Sequence, residues 1–265
     1  MSESEQRSSV ERDQTFRAER ITNPEDPRVD PVQAFLQAQF KSQEVDPVEV
    51  MRTAIGAVLE LKNEDYERIE DKAIIQGSYI AAVKKYRRLG VGSKAFEFRM
   101  AEAMEDAKRR GLEIVAYVGE VFDDSEAFIN SQGASRLYIR EGNDQYKEVP
   151  YYQPPLDWNL ETGRPAEGAR TVPEHLMVRT MDGSKTISGE QLLEMVRVIY
   201  DYNNYREREA FKNARAYRTH TGIIGNIEEE LTETVSGKDL MMISREERES
   251  MKAQGITFVE HGLAV

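Results

Sequence analysis

The stretch NEDYERIEDKAIIQGSYIAAVKKYRRL, Asn63–Leu89, decides how this chain is read. Tyr66, Ile69 and Ala73 recur at helical spacing, and the eleven residues from Ala73 to Val83 carry no charge. That pattern predicts a helix capped by Asn63 that begins amphipathic and becomes apolar all round, as the central helix of a bundle does. Gly77, Ala81 and Ala82 supply small side chains where neighbouring helices would approach. The apolar run is too short to cross a bilayer, which takes about 20 residues.

Upstream, Asp30-Pro31 and Asp46-Pro47 each place an N-cap residue before a proline at the first helical position. They predict two further helices, one presenting Val32, Phe35, Leu36 and Phe40, the other Val48, Met51, Ile55, Val58, Leu59 and Leu61. Downstream, Gly90-Val91-Gly92 ends the central helix and Ser93 caps a fourth, with Phe96, Met100, Ala103 and Ala107 in phase until Gly111. The expected fold class is therefore α+β and helix-rich. A flexible polar arm over residues 1–29 precedes an N-terminal helical bundle over 30–111. Residues 112–265 form an α+β region of β-hairpins and a long amphipathic helix, with an irregular proline- and glycine-rich stretch at 150–173.

Within that second region, Leu112–Val118 alternates as a strand does, and Asp123 with Glu126 has the spacing of a capping box. Arg136–Arg140 and Gln145–Tyr152 flank Gly142-Asn143-Asp144, a hairpin signal. A second hairpin is expected from His175–Thr180 through Asp182-Gly183 to Lys185–Ile187. Ser188 with Gln191 opens a helix expected to run from Glu190 to about His220. Ser244 with Glu247 opens a short one, and Ile256–Val259 reads as a last strand.

The charge is segregated. The chain carries a net −12, yet Lys84 to Arg110 holds nine cations against Glu97, Glu102, Glu105 and Asp106. From Arg197 to Arg218 six cations stand against Asp201, Glu207 and Glu209. Two anion- or partner-binding faces follow. The first joins Lys84, Lys85, Arg87 and Arg88 to Ser93 and Lys94 at a glycine-bracketed helix start, where backbone N–H groups favour an anion. The second interleaves Tyr202, Tyr205 and Tyr217 with Arg206, Arg208, Lys212, Arg215 and Arg218. Such residues stack on bases or anchor protein interfaces.

Catalytic chemistry finds little footing. There is no cysteine, which removes disulfides, thiolate metal sites and thiol nucleophiles. His175, His220 and His261 lack any metal-binding spacing, and His220 suits a helix C-terminus. No complete phosphate loop, nucleophile elbow or dinucleotide fingerprint occurs. A carboxylate-held metal would need Glu120, Asp123, Asp124 and Glu141 to converge. No catalytic residue, metal or cofactor is expected.

The functional expectation is a non-enzymatic structural, assembly or adaptor protein, such as a component of a virion or other particle. It would associate with other protein subunits as a homo- or hetero-oligomer. The alternative is a nucleic-acid-binding accessory protein for replication, recombination or transcription. The first thirty residues lack the apolar core of a signal peptide, so the expected setting is the cytoplasm or an assembled particle, away from membranes.

Overall fold

A computed structural model describes residues 26–38, 58–62, 68–77, 89–203 and 210–261. It corrects the reading of the decisive stretch over residues 68–77, while 63–67 and 78–88 lie outside the described residues. Arg68–Gly77 is a strand, β2, paired antiparallel with β1 (Val58–Lys62). A short apolar run reads alike as a buried helix and as a strand covered on both faces. Here Ala73 to Gly77 are all buried, and the β-branched pair Ile74-Ile75 suits the strand. The register slips between Glu60 and Lys62, opposite Glu70 and Asp71, whose φ values of 21° and 56° bulge β2.

The remaining elements are α1 (Val29–Gln37), α2 (Val91–Arg110), β3 (Glu113–Val121), α3 (Asp123–Ser131), β4 (Ser135–Glu141), β5 (Gln145–Glu148) and β6 (Tyr151–Gln153). After them come β7 (Trp158–Asn159), β8 (Arg164–Pro165), β9 (Val172–Thr180), β10 (Thr186–Ser188) and α4 (Gly189–Tyr202). The chain continues with α5 (Ala214–Val235), β11 (Asp239–Ile243), α6 (Arg245–Ala253) and β12 (Thr257–Val259).

One mixed sheet organises these elements, in the order β1-β2-β3-β9-β4-β11-β10. β2 and β3 run parallel, joined across α2, and β9 inserts antiparallel between β3 and β4. β4 forks: Ser135 and Arg136 pair with β9, whereas Tyr138–Glu141 pair with β5, which carries β12 in parallel. Helices cover both faces. Ile74, Val118, Leu137, Val178 and Leu240 pack against Leu192, Val196 and Ile199 of α4 and Ile224 and Leu231 of α5. On the other face Ile75, Tyr117 and Met177 meet Phe96 and Ala103 of α2 and Ile129 of α3. An extra residue in β3 opposite Ala73–Ile74 turns Ile114 to the second face while Ala116 joins the first.

The bundle expected over 30–111 is therefore absent, since its middle supplies two sheet strands. α1 and α2 are the helices it retains among the described residues, and the residues expected to form most of its second helix lie outside them. α1 starts at Val29, with Asp30 inside its first turn rather than at its cap. α2 is capped by Gly90 at φ 79°, so Ser93 is a helical residue and not the cap. The long helix is two. α4 ends at Tyr202, and α5 restarts behind Asn213, whose side chain accepts from the Ala216 N–H at 2.7 Å. β9 and β10 are not a hairpin, because β10 pairs with β11 at the far edge. The β4–β5 hairpin and the capping boxes at Ser188 and Ser244 form as expected.

Candidate functional site: the exposed end of α5

The first turn of α5 is held by local geometry. Asn213 caps it and donates from Nδ2 to the Glu161 carbonyl at 2.9 Å. The short β7–β8 hairpin lies against it so closely that a Cβ on Gly163 would fall 1.7 Å from the Ala216 carbonyl oxygen. Lys212, Arg215, Tyr217 and Arg218 project into solvent from this rigid end. Among the described residues, none of the three cations has a carboxylate partner. A helix N-terminus is the positive end of the macrodipole and disfavours cations, yet no acidic residue stands in this first turn.

Arg99, Arg109, Arg110 and Arg197 of the two basic segments are drawn inward or paired, whereas Lys94 and Lys108 are exposed. Arg109 and Arg110 bind Asp106, Arg110 also reaches Glu60, and the buried Arg197 lies 3.4 Å from Glu228. Arg99 donates to the Gln76 carbonyl at 2.6 Å, and burial pulls its pKa down. Tyr202 ends α4 half-buried against the core. Lys94 is exposed, but its backbone N–H is already bonded to the Gly90 carbonyl, and Ser93 Oγ accepts from Gln132 at 3.4 Å. Lys84, Lys85, Arg87, Arg88, Tyr205, Arg206 and Arg208 lie outside the described residues. What the structure brings together from the expected faces is thus Lys212, Arg215, Tyr217 and Arg218.

Two buried polar clusters escaped the sequence reading. In the first, Arg136 of β4 and Arg248 of α6 both grip Glu126 of α3, at 2.6 and 3.0 Å. Glu126 therefore bonds across the fold, where a capping box was expected; the N-cap of α3 is Phe122, with no side-chain cap. Glu148 of β5 lies 3.5 Å from Arg136 and accepts from His175 Nδ1 at 2.6 Å and from the His261 N–H at 3.0 Å. Burial raises the Glu126 pKa, but hydrogen bonds and charge from Arg248 and Arg136 outweigh it and hold the carboxyl below its ordinary value. A histidine–carboxylate pair is general-base geometry. Here both side chains are 2–3% exposed, so the pair ties strands together beneath the surface.

The second cluster sits at the carboxyl ends of β2 and β3. Tyr151 donates to Glu120 at 2.5 Å, and Gln76 donates to the other Glu120 oxygen at 3.0 Å. Burial, then the Glu120 carboxylate, pushes the Tyr151 hydroxyl well above its ordinary pKa and keeps it a donor. Glu141 is exposed on β4 and does not join Glu120. Among the described residues no group of three or more histidine or acidic side chains is placed to hold a metal ion. His220, expected at a helix end, is fully buried within α5 against Trp158 and Phe211, with ring centroids at 4.4 and 4.6 Å. The legible signal was polar residues within apolar strands, Arg136 and His175 for the first cluster and Gln76 and Glu120 for the second.

Among the described residues no helix is long and apolar enough to cross a membrane. No protein-family model matches the chain, and no curated protein matches it. Among solved structures it is similar to a "putative acetyltransferase" from Agrobacterium tumefaciens, over 63% of this chain and all of that one. Sequence identity to that structure is 14% and the TM-score 0.22, so the likeness fixes neither fold nor activity.

Proposed function

We propose that the protein is a non-enzymatic assembly subunit that joins an acidic protein surface through Lys212, Arg215, Tyr217 and Arg218. The observation that carries this reading is the set of exposed cations at the positive end of α5, without a carboxylate partner among the described residues, where the helix itself opposes them. Three cations around a tyrosine suit a protein hot spot. Tight nucleic-acid binding draws on more charge, about 6–10 phosphate contacts, and the net −12 of the chain repels a polyanion. The setting we propose is the cytoplasm or an assembled particle.

Retention of the full chain on immobilised polyglutamate, compared with duplex and single-stranded nucleic acid, tests the reading. Retention by polyglutamate at low salt, lost on Arg215→Glu with Arg218→Glu, is the expected result. Equal elution of wild type and variant removes the face from the argument. Preferential retention by nucleic acid transfers it to the replication or transcription reading.

A further inference from the structure

The charge on α5 is reversed along its whole length, not only at its start. Along the exposed side of the helix runs one stripe, Arg215, Arg218, Gly222, Gly225, Glu229 and Glu233, spaced by three or four residues as one helix face requires, with exposed Tyr217, Asn226 and Glu230 flanking it. Cations occupy its amino end and carboxylates its carboxyl half, each opposed by the helix dipole, and no basic residue stands in the last turn. Among the described residues Glu229 and Glu233 have no cationic partner. Glu228, on the flank, is the carboxylate turned inward to Arg197.

The centre of the stripe is equally unexplained within one chain. Gly222 and Gly225 have ordinary helical backbone, and a Cβ added to either would meet nothing within 4 Å. Glycine in a helix interior costs about 1 kcal/mol relative to alanine. Among the described residues nothing requires glycine at these positions, whereas the close approach of a second helix would.

We infer that α5 pairs antiparallel with α5 of a second copy of this chain across a two-fold axis between Gly222 and Gly225. Arg218 and Glu229 lie at matching distances from that midpoint, as do Gly222 and Gly225, and Arg215 and Glu233 match to within one residue. Antiparallel pairing therefore sets each arginine of one copy against a carboxylate of the other and lays glycine on glycine. The two macrodipoles oppose, and the surface is self-complementary, as a two-fold interface demands. From Arg215 to Glu233 the contact spans about 27 Å of helix. One helix pair makes a small interface, so the dimer is reversible and salt-sensitive. The inference rests on the association reading above and names the acidic surface as the far half of the same helix.

Sedimentation of the full chain at low and high salt tests it. Wild type is expected to dimerise at low salt, and Arg215→Glu with Arg218→Glu to weaken the dimer by roughly tenfold or more. The variant Glu229→Arg with Glu233→Arg should do the same. Combining all four substitutions should restore the dimer, because the swapped stripe is again self-complementary. Gly222→Leu, whose side chain fits the open surface of the monomer, should also block pairing. A wild type that is monomeric at low salt and high concentration sinks the two-fold pairing, while retention on polyglutamate would leave the broader association reading standing. Dimers that all the variants leave unchanged sink it equally.

Discussion

Arg136 and Arg248 converge on one carboxylate, Glu126, and so bind α3, β4 and α6 at a single buried point. Removing one member strands its partners as uncompensated interior charge, which costs about 3–5 kcal/mol. We expect Glu126→Gln and Arg248→Met each to lower stability by that order in urea unfolding. The cluster also sets a pH response. The folded Glu126 pKa lies below its ordinary value of 4.5, so its stabilisation is complete above that value and is lost as pH falls through the folded pKa. The thermal midpoint should fall on acidification below about pH 4.5, and Glu126→Gln should flatten that fall. An unchanged acid slope in the variant would place the acid sensitivity on other carboxylates.

At the scale of elements, β7–β8 and α5 meet through Gly163, at φ 69° with Ala216 pressed against its open side. Gly163→Ala meets both a left-handed backbone and the Ala216 carbonyl, so we expect a loss of more than about 1 kcal/mol in urea unfolding. By contrast, Gly222→Ala should stabilise the monomer by up to about 1 kcal/mol, since helix propensity rises and nothing is touched. Elements marked by local chemistry were legible: the Ser188 and Ser244 capping boxes, the β4–β5 turn and the end of α2 at Gly111. β1 and β2 were not, because Ala73-Ile74-Ile75 is buried on both faces and an all-apolar run has no period to betray a strand. The partner of β10 was likewise hidden. Thr186–Ser188 follows β9 by a few residues, but its hydrogen bonds go to Met241, Leu240 and Asp239, far along the chain. For the site, charge marked the α5 face directly. Which cations would be neutralised depended on Asp106, Glu60 and Glu228, contacts that only the fold creates.

For the molecule as a whole, the sheet crosses the boundary that the sequence suggested at residue 112. β2 bonds along β3 from Lys72 to Gly77, and α2 covers Tyr117 and Ile75. A fragment beginning at residue 112 exposes one edge of β3 and the apolar face beneath α2. We expect it to unfold or aggregate, with the near-ultraviolet dichroism of the full chain lost; a well-dispersed amide spectrum from that fragment would overturn the account.

The fork of β4 and the late arrival of β9 bear on how the chain is made. While a ribosome extends the chain, β3 and β4 emerge first, with the gap that β9 will fill still open between them. Until Thr180 has cleared the exit tunnel, two hydrophobic strand edges await a neighbour that has not been synthesised. Slow translation over that interval lengthens the window for pairing with the wrong edge, and a chaperone bound there would shield it.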